Sequence, residues 1–512
     1  MRRGRLEGNL SRLGTAAGVV LQSVPDVLWI ALLVTLPVTS LPFLVHLTRG
    51  AIVAGASGLP LAILALVWYL PWLWRNRKLP SEAAPLIAFG LIALVAGLLA
   101  FFIEIHPFKE QTVFGRGSEA LATLSLGIAY FLITATFVAD RPGRLRSSLK
   151  WIQVGILVAL IWSAVQAYFI LCCGSDYPDR IRALHRLISI RDPYVDRVTG
   201  MAYEPSWFAH QLNLLYFPLL LASVSLGYSA FRRRILGLQF ELFLLIAGIA
   251  ALVLSTSRVG LAGFLLMAGL TVLWLAFRAG RRLNEMIRHR LLDRYPLLAR
   301  FAGAGSSAVI SIGFLVGFIA AAVALVVVAA QLDWRWQRVL TPIGANLFSV
   351  QSANYFLFAE RVVFWIAAYG VFEHFPVLGV GLGNSGFFIP ETMPEFGWTA
   401  PEVVNVLRAG TEFFPNPKAL WFRLLAETGI VGFVMFVVWL LVMAIRAIML
   451  SIGKERLRQV VGVLGLLTLI GLLTEGFSID SFAFPYLWVA MGLVTAAGWR
   501  ARREASAASS KP

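Results

Sequence analysis

Cysteine is almost absent from this chain of 512 residues, which contains only two, adjacent at Cys172 and Cys173. Neighbouring cysteines match neither the spacing of a zinc site nor that of a redox motif, and they exclude a disulfide framework. A bond between the two neighbours would be strained. The pattern therefore predicts two free thiols near the end of a helix.

Charged residues are also scarce, at 14% of the chain, whereas 59% of the residues are hydrophobic. Soluble globular domains have about 25% charged residues. This imbalance excludes a soluble protein and predicts an integral membrane protein. The basic start is followed, after Pro25, by an apolar run too long for the core of a cleavable signal peptide, so we expect a membrane anchor there.

Apolar runs of membrane length recur along the whole chain. A hydrocarbon core of about 30 Å requires roughly 20 apolar residues in a helix. The runs predict about twelve transmembrane helices and therefore an all-α polytopic fold. They lie near residues 26–47, 52–72, 83–104, 119–139, 151–172, 207–228, 236–255, 259–277, 303–331, 420–445, 460–477 and 482–499.

The basic residues fall mostly on one side of this arrangement. Loops that remain in the cytoplasm are enriched in Lys and Arg. With a cytoplasmic N-terminus, most of the 44 Lys and Arg residues lie in cytoplasmic segments. Both termini are therefore predicted to be cytoplasmic, and the net charge of +17 reflects topology rather than a nucleic-acid partner. Besides the N-terminal arm, the basic segments are Arg75–Lys78, Arg141–Lys150, Arg232–Arg234, Arg278–Arg300, Arg446–Arg458 and the tail from Arg500.

Two outer segments are longer than simple connections require. Residues 173–206 carry mixed charge, and residues 332–419 form a large periplasmic loop between the ninth and tenth helices. Long ordered loops are usually functional. The expected organisation is nine helices in residues 1–331, the large loop, three helices in residues 420–499 and a cytoplasmic tail over residues 500–512. Chemistry is expected on the outer face.

Two arginines are predicted on the outer side, where positive residues are depleted. Arg258 follows three hydroxyl residues in the hairpin between two spans, and Arg361 lies in the large loop. Arg258 could simply extend along the membrane boundary, and Arg361 could lie on a solvated helix face. Arginine also binds phosphate through a two-pronged guanidinium that stays charged. Two arginines that meet at one pyrophosphate would form a recognisable site.

Carboxylates lie at or within predicted spans. Glu204 precedes Pro205 at the start of the sixth span, where it could stabilise the helix N-terminus or serve as a base. Glu427 lies inside the tenth span, where a carboxylate predicts function with a named partner. Arg423, one turn earlier, is that partner by spacing, which would make Glu427 structural. Glu475, at the outer end of the eleventh span, is expected nearer to water.

The middle of the large loop contains a histidine and a run of glycines. His374 is a plausible base by residue type, although loop histidines more often pack against their neighbours. The glycines at positions 379, 381 and 383 could be mistaken for a nucleotide-binding loop. They lack the strand-then-helix context of such a loop. We interpret them as a tight backbone turn.

Several stretches together resemble the O-antigen ligase and polymerase superfamily. They are LSTSRVGLAGFLL at residues 254–266, ERVVFWIAAYGVFEHFPVLGVGLGN at 360–384 and NPKALWFRLLAETGIVGF at 416–433. YEPSWFAHQL at residues 203–212 is similar to a motif of the polymerase-type members. The order of these stretches also fits: an outer arginine, a large loop with a second arginine, and a helix with Glu-Thr-Gly.

The resemblance implies a fold similar to the GT-C class and a transfer of glycan from undecaprenyl pyrophosphate to an acceptor hydroxyl. It implies no metal, nucleotide sugar or other cofactor. In this scheme Arg258 and Arg361 bind the pyrophosphate and stabilise the charge that develops as the glycosidic bond breaks. One base accepts the acceptor proton, and the anomeric centre inverts.

One position departs from the ligase pattern. Ligases of the superfamily usually have a histidine followed by Asn just upstream of the Glu-Thr-Gly helix. This sequence instead has Asn416, a proline and Lys418, with no histidine there. The base is therefore left open among Glu204, Glu412 and His374. Lys418 would add a third positive group for phosphate.

The function favoured by the sequence is polymerisation of lipid-linked repeat units into O-antigen or exopolysaccharide, at the periplasmic face of a bacterial inner membrane. A ligase that transfers glycan to lipid A-core or another acceptor stays open. So do a flippase or other transporter, against which the outer position of the polar residues argues, and a membrane scaffold. Expected partners are the undecaprenyl-pyrophosphate-linked donor, the glycan acceptor, the bilayer, a chain-length regulator and a flippase. The predicted catalytic residues are Arg258, Arg361 and Glu204, and the predicted substrate-binding residues are Lys418, Asn416, His374 and Glu427.

Overall fold

The computed structural model describes residues 23–48, 53, 55–231, 234–291, 296–340, 358–408, 410 and 413–509. Regular structure over these residues is helical, apart from an antiparallel hairpin of strands Arg234–Ile235 and Leu238–Gln239. The basic N-terminal arm, Arg232, Arg233 and Glu412 lie outside the described residues.

A helix lies at the place of each predicted span. Within the described ranges, nine of these helices, α2–α6 and α8–α11, are long and apolar enough to cross a membrane. The α1 and α7 helices are shorter, and α12 continues into a charged segment after Trp499. The chain is therefore a polytopic helical membrane protein, as predicted. In chain order the helices are α1 (Ser23–Thr35), α2 (Gly58–Asn76), α3 (Ser81–Phe102), α4 (Val113–Asp140), α5 (Arg144–Cys172), α6 (Pro205–Leu226), α7 (Phe240–Leu254), α8 (Arg258–Leu291), α9 (Pro296–Leu332), α10 (Leu420–Ser451), α11 (Arg456–Glu475) and α12 (Pro485–Ser509).

The first predicted span is divided in the structure. The α1 helix ends at Thr35, and Pro42–Leu47 forms a second, short helix. Pro37 lies between the two helices and Pro42 begins the second, and proline lacks the backbone donor that a continuous helix needs. The prediction of one helix over residues 26–47 is therefore wrong at its centre.

The α6 helix lies at the centre of the bundle. Its most apolar stretch is 83% buried, whereas the corresponding stretch of α9 is 6% buried. It packs against α7, α8, α11 and α12. A residue at the beginning of α6 is thus carried by a helix that is almost entirely enclosed by the rest of the bundle.

Small residues allow α4 and α12 to pack closely. A Cβ atom at Gly127 would lie 2.4 Å from the Trp488 ring, and one at Gly492 would lie 2.6 Å from Thr134. Helices in membranes often associate through such small residues, because their backbones can then approach. Substitution at either glycine would force the two helices apart.

One end of the bundle is held by ion pairs between predicted cytoplasmic segments. The buried Glu82 carboxylate accepts hydrogen bonds from both terminal nitrogens of Arg502, at 2.8 and 3.0 Å, and lies 2.8 Å from Arg446 Nε. Arg500 donates to the carbonyl of Arg141 at 3.1 Å. The basic residue that follows α4 and the basic residues in the last turns of α10 and α12 therefore meet at the same end.

The described parts of the two long segments lie at the other end, near the start of α6, α8 and α10. The large loop has a small apolar core of its own that includes Val363, Phe364, Ile389 and Val403. The loop contains the helix Ala359–His374, here called the loop helix. The other short elements are Asp179–Arg186, Trp334–Leu340, Ser385–Thr392, Pro401–Leu407 and the 3-10 turn Glu395–Thr399.

Candidate active site

Arg361 lies in the first turn of the loop helix and connects three parts of the chain. Its guanidinium donates hydrogen bonds to the carbonyl of Ser478 at 3.0 Å and to the carbonyl of Lys418 at 3.3 Å. Burial lowers the pKa of Arg361, and the nearby carboxylates of Glu360 and Asp480 oppose that change. Arginine remains protonated over the physiological range. The structure thus holds a positive charge between the large loop and the connection from α11 to α12.

Lys418 lies just before α10, in a turn that its neighbours shape. It adopts a positive φ of 50°, and its amide donates to the side-chain oxygen of Asn416 at 3.1 Å. Its ammonium pairs with Glu360 and lies 5.5 Å from the centre of the Phe364 ring. The same turn presents the Lys418 carbonyl to Arg361. Asn416 therefore supports the turn that brings Lys418 beside Arg361.

Arg258 begins α8, as the hairpin pattern predicts. The hydroxyl of Ser257 accepts a hydrogen bond from the amide of Gly260 at 3.3 Å, which agrees with a helix cap at this position. The Arg258 guanidinium lies 4.9 Å from the centre of the Phe358 ring, just before the loop helix. It is close enough to Arg361 for their charges to repel each other. Two arginines far apart in sequence are thus neighbours in space.

Glu204 lies immediately before α6 on the same side of the bundle. Its backbone is extended, with φ −145° and ψ 160°, and its side chain does not cap the helix. Burial raises the pKa of the Glu204 carboxyl, while the positive charges of Arg191, Arg361 and Lys418 lower it in part. Glu204 therefore shares one electrostatic environment with the predicted phosphate-binding groups, and it is a suitable proton acceptor by chemistry and position.

Glu427 has a full set of internal partners. It is 2% exposed and accepts hydrogen bonds from Arg423 Nε at 2.8 Å, from the amide of Gly383 at 2.8 Å and from the Ser385 hydroxyl at 2.7 Å. The predicted pairing with Arg423 is confirmed. These contacts fasten the glycine-rich turn of the large loop to α10.

The Glu-Thr-Gly segment interlocks with that turn through the backbone as well. Gly429 interrupts α10 with φ 60° and ψ −168°. The amide of Ile430 donates to the carbonyl of Pro376 at 2.8 Å, and the amide of Val380 donates to the carbonyl of Ala426 at 3.0 Å. A Cβ atom at Gly379 would lie 2.5 Å from the backbone of Glu427. The interpretation of the glycine run as a tight turn is therefore confirmed.

His374 lies at the far end of the loop helix from Arg361. Thirteen residues of α-helix span roughly 20 Å. His374 is exposed, and its Nδ1 atom lies 2.8 Å from the carbonyl oxygen of Gly370 in its own helix. The structure thus brings Arg258, Arg361, Lys418 and Glu204 together and leaves His374 apart.

A second polar group lies beneath Arg361, inside the bundle. Glu475 is 1% exposed, so the expectation that it lies nearer to water is wrong. Its carboxylate accepts a hydrogen bond from Asn213 Nδ2 at 2.5 Å and lies 3.6 Å from His210 Nδ1. Sequence reasoning missed Asn213 and His210, although polar residues within an apolar span were the available signal. Across the described residues there is no group of three His, Cys, Asp or Glu side chains arranged to hold a metal ion.

Residues 243–437 match the family model described as O-Antigen ligase. This match supports the predicted resemblance to the O-antigen ligase and polymerase superfamily. A comparison with curated proteins gave no match. The matched part of the chain includes Arg258, Arg361, Lys418 and Glu427, and it ends before Glu475. Members of that family are enzymes similar to glycosyltransferases, so the match supports a function of the ligase or polymerase type.

Proposed function

We propose that this protein is an inverting, metal-independent glycosyltransferase that polymerises undecaprenyl-pyrophosphate-linked repeat units into O-antigen or exopolysaccharide. The observation that supports it most is the meeting of Arg258, Arg361 and Lys418 with Glu204 at one end of the bundle. Positive groups for an anionic leaving group and a base for a hydroxyl are the two requirements of this reaction. The end that holds the site faces the periplasm of a bacterial inner membrane in this proposal.

The reaction follows from the charges of these groups. The donor pyrophosphate would lie between Arg258 and Arg361, with the Lys418 ammonium beside it. Glu204 accepts the proton of the acceptor hydroxyl as that oxygen attacks the anomeric carbon. The bond from the anomeric carbon to the pyrophosphate oxygen breaks, and its electron pair leaves with the lipid pyrophosphate. The arginines stabilise this developing charge, and attack from the opposite face inverts the configuration.

In this proposal the other predicted substrate-binding residues act indirectly or away from the pyrophosphate. Asn416 acts through the turn that holds Lys418. Glu427 acts through the glycine-rich turn, because its described hydrogen bonds end on the protein itself. His374 stays a predicted contact for a part of the glycan far from the pyrophosphate.

A ligase is the second candidate. The family match carries the ligase description, and ligase chemistry would use the same pyrophosphate-binding arginines. The Pro-Asn-Pro-Lys sequence before α10 lacks the histidine that ligases usually have there, which favours the polymerase. A flippase for lipid-linked oligosaccharide is the candidate from another class. The described cationic cluster lies at one end of the bundle, whereas a flippase needs polar groups along the path between both faces.

The length profile of lipid-linked and surface glycans in a strain without this protein tests the proposal. Lipid-linked single units in the periplasmic leaflet, restored to polymer by the wild-type protein, are the expected result. Long polymer that remains attached to undecaprenyl pyrophosphate would identify a ligase instead. Single units held in the cytoplasmic leaflet would identify a flippase, and an unchanged profile would remove glycan transfer from the protein's roles.

A further inference from the structure

Asn213 lies where three helices that support the site approach one another. It belongs to the π-helical turn Leu212–Tyr216 of α6, and such turns often occur at functional sites. A Cβ atom at Gly263 of α8 would lie 3.0 Å from Asn213 Nδ2. A Cβ atom at Gly471 of α11 would lie 2.6 Å from the Asn213 carbonyl oxygen. The side chain is completely buried at this crossing of α6, α8 and α11.

The Asn213 amide binds the two elements on which the arginines depend. Its Nδ2 donates to the carbonyl of Gly260 at 2.7 Å, in the first turn of α8, which begins with Arg258. It also donates to the Glu475 carboxylate at 2.5 Å, at the end of α11. Asn213 Nδ2 thus connects α8, which begins with Arg258, to Glu475 at the end of α11.

Glu475 ends α11 and directly precedes the α11–α12 turn, residues 476–480, which holds the second arginine. The Glu475 carbonyl accepts hydrogen bonds from the amide of Ser478 at 2.8 Å and from that of Ile479 at 3.0 Å. The Ser478 carbonyl in turn accepts the hydrogen bond from Arg361 at 3.0 Å. The position of the Arg361 guanidinium therefore follows from the position of Glu475.

We propose that Asn213 is a positioning residue that fixes the separation of Arg258 and Arg361, so that the pair fits the two phosphates of a prenyl pyrophosphate. This inference rests on the proposed function, because it assumes that the two arginines bind one pyrophosphate. Asn213 itself touches no substrate. It acts by fastening the start of α8 to the α11–α12 turn.

The measurement is the ratio of affinities of the detergent-purified full chain for farnesyl phosphate and farnesyl pyrophosphate. These short prenyl probes differ by one phosphate. The wild-type protein is expected to bind the pyrophosphate more tightly by about tenfold or more, the gain of one charge-assisted contact. Asn213→Leu, which has a similar size, is expected to lose most of this preference while it still binds both probes.

Thr468→Val is the matched control. The Thr468 hydroxyl donates to the carbonyl of Leu214 at 3.1 Å, which is another buried hydrogen bond between α11 and α6. It makes no described contact with the arginines or the α11–α12 turn. A general loosening of the two helices would change the ratio in this variant too, whereas the proposed role of Asn213 predicts the wild-type ratio.

Gly263→Ala tests the same junction from α8. Its methyl group would lie 2.6 Å from the Thr474 hydroxyl and 3.0 Å from Asn213 Nδ2, so α8 must move away. Loss of the pyrophosphate preference is expected here as well, and Asn213→Ser serves if Asn213→Leu does not accumulate. Retention of the wild-type ratio in a folded variant overturns the role of Asn213. A wild-type protein without any preference overturns the pyrophosphate site, and with it the proposed function.

Discussion

Arg361 is held by backbone carbonyls, and this has a consequence for its charge. Both of its described hydrogen bonds end on neutral oxygens, those of Lys418 and Ser478. A carbonyl orients a guanidinium without neutralising it, so the positive charge remains available to an anion. Lys418 differs, because its ammonium already pairs with Glu360. The arginine is therefore the stronger candidate for the pyrophosphate.

Replacement of either arginine should abolish glycan transfer without loss of the protein from the membrane. We expect Arg258→Ala and Arg361→Ala each to lower the turnover rate by about 10² or more, the usual effect of removing one transition-state donor. Arg361→Lys should remain strongly impaired, since a single ammonium cannot reach both carbonyls and a phosphate. Polymer formation in a strain that carries each variant is the readout. Arg186→Ala, which removes an exposed arginine of the outer segment, should form polymer normally.

The raised pKa of Glu204 predicts the acid side of the pH–rate profile. A general base works when deprotonated, so activity should fall as the pH decreases through the pKa of Glu204. Burial raises this pKa, and Arg191 is the foremost of the positive charges that lower it in part. Arg191→Gln should therefore move the acid limb to higher pH.

The matched control for this profile is Arg186→Gln. Arg186 is exposed, lies five residues from Arg191 and pairs with Asp192. Glu204→Gln should be inactive at every pH. An acid limb that stays in place in Arg191→Gln, with activity otherwise intact, would show that another group accepts the proton.

At the scale of elements, the interruption of α10 at Gly429 joins a membrane helix to the large loop. A Cβ atom at this position would lie 2.3 Å from the backbone of Val377, and the positive φ already disfavours a side chain. Gly429→Ala should thus lower the melting temperature of the purified protein and reduce activity. Gly317→Ala is the control, because open space surrounds that helical glycine and alanine favours helix by about 1 kcal/mol. Equal melting temperatures for the two variants would contradict the interlocking described here.

The sequence was sufficient for elements whose signal is local. Membrane helices could be predicted because apolar length alone specifies them. Arg258 and Arg361 could be selected by residue type and predicted side. The division of the first span was also visible in principle, since Pro37 and Pro42 lie inside it.

The contacts between elements could not be predicted, because they depend on how distant segments pack. The pairing of Lys418 with Glu360 joins residues far apart in sequence. The sequence predicts Glu475 near water, yet it is buried and its carboxylate contacts Asn213 and His210 of α6. Asn213 was indistinguishable from any other polar residue in an apolar helix until α8 and α11 were placed beside it.

At the scale of the whole molecule, the two free cysteines provide a test of orientation. Both thiols are free, as predicted, and Cys172 is exposed at the end of α5, opposite the end that holds Glu82. A membrane-impermeant thiol reagent should therefore label intact spheroplasts. In a protein with both cysteines changed to serine, Ser506→Cys on α12 should be labelled only after the membrane is opened. Labelling with the opposite pattern would invert the proposed topology.

The α11–α12 turn gives three of its carbonyls to other parts of the protein. Gly476 accepts from the amide of Leu420, Ser478 from Arg361 and Asp480 from Arg423. Every amino acid has the same carbonyl, so many substitutions in this turn would preserve all three bonds. A sequence alignment compares side-chain identities, so it does not detect contacts that backbone carbonyls make. This part of the site therefore depends on the backbone path of the turn. Relatives are better compared here by backbone structure than by amino-acid identity.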